Sequence, residues 1–163
     1  MVIGAILLSA IAILGRGSLQ TYDQLGGSLR AMESRLVEKS TTDLAVTEAT
    51  VDVTGQFVSV TLLNEGSTRV GRVENIDVIV SYFTSLSGQA NAWLPFDATG
   101  ITANSWSVVT ILNDDYEPGI LNPGESAQLL LNLSPGIAVG PSNSLVISTE
   151  AGATTAASFS RPI

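Results

Sequence analysis

Two hydrophobic periods divide this chain. Met1–Gly15 reads MVIGAILLSAIAILG and carries no charge. Beyond it the apolar positions continue at spacings of three and four through Gly15, Leu19, Tyr22, Leu25, Leu29, Met32 and Leu36, and backwards through Ile11, Leu8 and Gly4. That spacing predicts one helix over residues 1–40, about 60 Å long at about 1.5 Å per residue. Its first half is apolar all round. Its second half has a single stripe, with Asp23, Gln24, Arg30, Glu33 and Glu38 elsewhere. A helix that is apolar on every side must be surrounded. A small head cannot cover that length, whereas neighbouring copies of the same helix can. The residues expected to form such a core are Ile3, Ile6, Leu7, Ile11, Leu14, Leu19, Leu25, Leu29 and Met32.

Other readings of the start are set by length and flanks. A secretory signal would begin with basic residues, and none precedes the apolar run. A stand-alone membrane span needs about 20 apolar residues, and this run stops at Arg16. An N-terminal membrane anchor for a single surface-bound copy is the competing expectation. Without a leader, the chain reads either as already processed or as starting at a Met1 that is not the mature N-terminus. Gly4, Gly15, Gly17, Gly26 and Gly27 each cost about 1 kcal/mol against alanine inside a helix. Either they let helices approach closely in a bundle, or Gly15–Gly17 or Gly26–Gly27 marks a kink.

From residue 41 the period changes to two, after a linker near Glu38–Asp43. Leu44, Val46, Ala49, Val51 and Val53 fall at strand spacing, and Gln56–Leu63 alternates again after the Thr54–Gly55 turn. Ile76–Phe83 places Ile76, Val78, Val80 and Tyr82 on one face. Trp106–Leu112, Ala127–Leu133, Leu145–Thr149 and Ala153–Phe159 complete seven to nine strands, with Trp93, Pro95 and Phe96 assigned to a loop. Leu129–Leu131 is apolar on both faces, so one of them packs either on a neighbouring subunit or under a loop of the same head. Short strands between turn signals predict an antiparallel sandwich over residues 41–163. The fold class expected for the whole chain is therefore α+β: a long hydrophobic N-terminal helix followed by that sandwich.

Composition removes several kinds of chemistry. The 163 residues include no cysteine and no histidine, so no disulfide, thiolate, imidazole base or Cys/His metal site can form. Residues 1–40 hold four basic and three acidic side chains, and residues 41–163 hold three basic and twelve acidic, for a net charge of −8. An acidic head argues against nucleic acid. Neither a nucleophile–base pair nor a phosphate loop is visible, so no enzymatic activity, cofactor or metal is expected.

Three stretches carry a family resemblance: the apolar start MVIGAILLSAIAILG, Val58–Tyr82 (VSVTLLNEGSTRVGRVENIDVIVSY) and Ile120–Leu133 (ILNPGESAQLLLNL). Together they resemble the archaellins, the filament subunits of the archaeal-type flagellum within the type IV pilin superfamily. The chain lacks the acidic residue near position 5 of bacterial-type pilins, which is nearer the archaellin pattern. The resemblance implies an immunoglobulin-like head and a homopolymer assembled through the N-terminal helix. It also implies residence in the membrane before assembly, an extracellular filament for motility or adhesion, and a separate motor and assembly machinery. The Asn64-Glu65-Gly66 turn and the Asp77-Val-Ile-Val strand are shared with archaellum accessory proteins. The alternative is therefore a membrane-anchored protein whose head grips a surface-layer or motor partner.

Few other positions invite chemistry. Asn132-Leu133-Ser134 fits the N-glycosylation sequon, making Asn132 a candidate acceptor. The acidic run Asn113–Glu117 offers oxygen ligands but lacks the spacing of a calcium loop, and reads as a solvated turn. Asp43, Glu48 and Asp52 read as the polar face of one strand rather than a carboxylate pair. Trp93 and Trp106 read as core residues, with stacking on sugar as the alternative.

Overall fold

The computed structural model describes residues 24–163 apart from 38, 40, 87, 101 and 115. The chain divides into two compact units, Met1–Val37 and Glu38–Ile163. In the first, residues 24–37 form a helix, α1, with Gly26 and Gly27 inside it. Steps of four, three and four put Leu25, Leu29, Met32 and Leu36 on one stripe of α1, and all four are more than half exposed. Among the described residues no helix is long and apolar enough to cross a membrane.

The expected α+β class with a helix of forty residues is corrected here. Among the described residues the structure is a β-sandwich with one short helix. Periodicity tells which side of a helix would be apolar, but a helix draws most of its stability from packing that side. In α1 the stripe is uncovered, so nothing in the pattern fixed the helix's length. The expected core positions Ile3, Ile6, Leu7, Ile11, Leu14 and Leu19 lie outside the described residues.

Among the described residues the second unit holds eight strands: β1 (Leu44–Val51), β2 (Phe57–Asn64), β3 (Asp77–Phe83), β4 (Gln89–Leu94), β5 (Ser105–Leu112), β6 (Ser126–Asn132), β7 (Ser142–Ser148) and β8 (Thr154–Ser160). A short 3-10 turn, Val73–Asn75, precedes β3. The strands form two antiparallel sheets in the orders β1-β2-β6-β5 and β4-β3-β7-β8. Alternation puts one side of each strand into the space between the sheets. From the first sheet come Val58, Val60, Leu62, Trp106, Leu129 and Leu131, all at most 1% exposed. From the second come Val78, Val80, Tyr82, Leu94, Leu145 and Ile147.

The pattern along Ile76–Tyr82 therefore holds residue by residue. The double-sided run Leu129–Leu131 resolves as two core leucines flanking a half-buried Leu130, which lies between Ser59 and Ser107 on the outer face. β4 corrects a loop expectation: of its inward positions Ala90, Ala92 and Leu94, two are too small to read as a core side.

Candidate interaction face

The outer face of the β4-β3-β7-β8 sheet is built in rows, because antiparallel pairing sets side chains opposite one another across neighbouring strands. One row is apolar and crosses all four strands: Trp93 opposite Ile79, Ile79 opposite Val146, Val146 opposite Ala156. Trp93 is 60% exposed and Ile79 44%. On one side lies a row of neutral polar groups, Asn91, Ser81, Ser144 and Ser158. Asp77, Ser148 and Thr154 make up the row on the other side.

Trp93 is fixed from within this face. Its indole Nε1 donates to Asp77 Oδ1 at 2.8 Å, a diagonal contact between β4 and β3. The Ser81 hydroxyl donates to Asn91 Oδ1 in the next row. Asp77 is the one charged residue in the four strands, although residues 41–163 carry nine more acidic than basic side chains. This surface is thus a nearly uncharged window in an acidic head. Phe83, 42% exposed, adds a second apolar group four residues along β3 from Ile79, beyond the polar row at Ser81.

The two tryptophans separate. Trp106 is 1% exposed and meets Phe96 edge to face with ring centroids 5.0 Å apart, whereas Trp93 faces out. Sequence reasoning passed over Ile79, Phe83 and Val146. The available signal was parity: in a strand whose alternate positions are core, an apolar residue at an intervening position has no core to enter.

The remaining sites read from sequence are occupied by the fold's own bonds. Asn132 lies in β6, is 4% exposed and accepts from Gln56 Nε2 at 3.4 Å, so its amide is reached only if the strand end opens. Asp114 accepts the Gly119 amide at 3.0 Å, and Glu117 pairs with Arg69 at 2.8 Å. No group of three acidic side chains converges among the described residues. Asp52 is spent in the β1–β2 turn, where it accepts from Thr54 and from the Phe57 amide at 2.9 Å. A pocket of about 40 Å³ lined by Thr42, Arg69, Arg72, Thr149 and Glu150 has room for little more than a water molecule. Leu25, Leu29 and Met32, the described part of the expected helical core, form an exposed stripe on α1.

No family model matches the chain, and no curated protein matches it. Solved structures do. The archaellum periplasmic stator complex of FlaF and FlaG from Sulfolobus acidocaldarius matches with a TM-score of 0.56 at 19% identity, over 72% of this chain and 89% of that one. The archaellum periplasmic stator protein FlaG from the same organism gives 0.56 and 19%, over 72% and 99%. The archaeal flagellum of Methanospirillum hungatei strain JF1 gives 0.49 and 14%, over 98% and 92%. The likeness to the stator proteins is one of fold. It gives the expected head architecture solved counterparts, and leaves the role of the head to its own surface.

Proposed function

We propose that this chain is an archaellum-associated accessory protein at the cell surface, whose β-sandwich head binds a surface-layer or motor partner and catalyses nothing. The observation that carries this reading is the nearly uncharged outer face of β4-β3-β7-β8, with Trp93, Ile79 and Phe83 exposed on a sheet whose one charged side chain is Asp77. Exposed apolar surface costs solubility unless something covers it, and an aromatic anchor held in place by a hydrogen bond loses little freedom on binding. The sandwich shared with the FlaF and FlaG stator proteins supports the same reading. A second reading is kept because of α1. Its exposed stripe of Leu25, Leu29, Met32 and Leu36 would be buried if copies of the chain polymerised into a filament for swimming or adhesion.

Immunogold electron microscopy with antibody against the head separates the two. Label confined to the cell surface or the filament base is expected. Label running along the filament would replace the accessory role with that of a subunit. In the accessory case, Trp93→Ala combined with Ile79→Ser should lose the partner in pull-downs while filaments still assemble.

A further inference from the structure

Two features of the outer face fix what it can hold. The first is size. Four strands spaced about 4.8 Å apart span about 14 Å, and six residues span about 20 Å, so the face offers roughly 300 Å². A stable protein pair buries about 800 Å² on each side. The face alone is too small for that, but matches a short oligosaccharide laid across the strands. The second is chemistry. The apolar row from Trp93 to Ala156 runs beside a row of hydroxyls and an amide from Asn91 to Ser158, with Ser148 and Thr154 beyond its other side.

A pyranose ring has the same division, with C–H faces and a hydroxyl rim. Indole presents a large, rigid apolar plane for the C–H face. Serine hydroxyls donate and accept, and asparagine offers both an acceptor and two donors, as a polyol requires. Arg and Lys are absent from all four strands, and the single carboxylate already accepts from Trp93 Nε1. Nothing on the face selects an anionic ligand, and its one carboxylate is engaged by the Trp93 indole.

We propose that this face is a binding site for neutral glycan, with Trp93 as the stacking platform and the Asn91, Ser81, Ser144, Ser158 row as the hydroxyl-reading edge. The proposal rests on the reading of this face as the head's contact surface, and names what it grips: sugar carried by a surface partner.

The test uses the full-length chain on an array of neutral oligosaccharides, with iodide quenching of tryptophan emission as a second readout. Trp106 is buried, so iodide reaches Trp93 selectively. Binding of at least one neutral oligosaccharide is expected, together with protection of Trp93 from iodide. Trp93→Ala should weaken that binding at least tenfold without lowering the melting temperature. Ser144→Arg, which places bulk and charge in the polar row, should weaken it similarly, while Trp93→Phe should retain part of it. An array on which nothing neutral binds overturns the proposal. Binding to the cell envelope before and after mild periodate oxidation, which destroys vicinal diols, separates the two levels of the argument. Loss on oxidation supports sugar. Binding that survives oxidation but fails in Trp93→Ala overturns sugar and keeps the contact face. Binding indifferent to both overturns the face as well.

Discussion

The side-chain amide of Asn64 donates to the carbonyl of Leu121 at 3.1 Å, across 57 residues of chain. The same Nδ2 donates to the Thr68 carbonyl at 2.9 Å, and Oδ1 accepts from the Gly66 amide at 3.1 Å. The main chain repeats the link: the Asn64 amide donates to Glu125 O at 3.0 Å, and the Gly124 amide to Asn64 O at 2.8 Å. Glu125 in turn accepts from the Asn122 amide at 2.8 Å, closing its own turn. The Asn-Glu-Gly and Leu-Asn-Pro-Gly-Glu stretches that carry the family resemblance are thus two halves of one buckle. Gly66 has its own reason: a Cβ there would run into the backbone of Asp43 and Thr41. These motifs close one corner of the sandwich, a structural task independent of what the head binds.

Asn64 is fully buried, so Asn64→Ala leaves the Leu121 carbonyl without this donor and the Gly66 amide without this acceptor. The expected loss is about 2–3 kcal/mol. Urea unfolding checks it, with a lower midpoint at unchanged slope. A change below about 0.5 kcal/mol would show that the buckle's main-chain bonds suffice without the side chain.

How far this was legible depends on the kind of residue. Strand β3 could be read because its core positions are large and strictly alternating, Val78, Val80 and Tyr82. Strand β4 could not, because alanine fills two of its three inward positions, leaving only Leu94 large, while Trp93 points to solvent. The bulges between Val46 and Glu48 and between Val108 and Thr110 shift the pairing by one residue and leave no mark in composition. The interaction face needed pairing as well as pattern: Ile79, Trp93, Val146 and Ala156 lie in four separate strands and become a row only through register. The seam Leu25, Leu29, Met32 was legible as spacing, but what covers it was not, since a stripe is the same whether it meets its own head or another chain.

Two turn aspartates should make the head sensitive to acid. Hydrogen bonds from Thr102 and Thr99 hold Asp97 well below the usual carboxylate range. At Asp52 partial burial pushes upward, but bonds from Thr54, Phe57 and Gln56 outweigh it and the net direction is down. Both folded pKa values lie below the unfolded value near 3.8. The stabilisation is therefore complete at neutral pH and is lost as pH falls below that value through the folded pKa values. The double variant Asp52→Asn with Asp97→Asn should be less stable at pH 7 and lose less between pH 4.5 and pH 2. Melting temperatures across that range check it. Parallel curves for wild type and variant would remove these two groups from the acid response.

Arg161 clamps the end of β8 to two other segments. Its Nη1 donates to Ile137 O at 2.9 Å and its Nη2 to Val53 O in the β1–β2 turn. Arg161→Ala should cost about 1–2 kcal/mol, discounted for partial exposure. Arg161→Lys should recover less than half, because an ammonium donates from one nitrogen and lacks the fixed spacing by which Nη1 and Nη2 reach separate carbonyls. Gly55 lies under the same guanidinium with φ +78°, and a Cβ there would stand 2.6 Å from both Nη1 and the Ile137 carbonyl. Gly55→Ala should therefore be at least as damaging as Arg161→Ala, measured by the same unfolding titration. Equal stability of wild type and Arg161→Ala would dismiss the clamp.

Trp106 offers a test in which a smaller residue is expected to be tolerated. It is one of the largest fully buried side chains, yet its Nε1 has no hydrogen-bond partner among the described residues. A buried unpaired N–H costs about 1–3 kcal/mol. Trp106→Phe removes that donor together with part of the packed volume, and the two changes oppose each other. Stability within about 1 kcal/mol of wild type is expected. Trp106→Ala removes the packing against Phe96 and the core and leaves a cavity, for an expected loss of about 3–5 kcal/mol. Loss in the Phe variant approaching that of the Ala variant would mean that the indole donor is satisfied in solution, and that Trp106 contributes through a hydrogen bond as well as through volume.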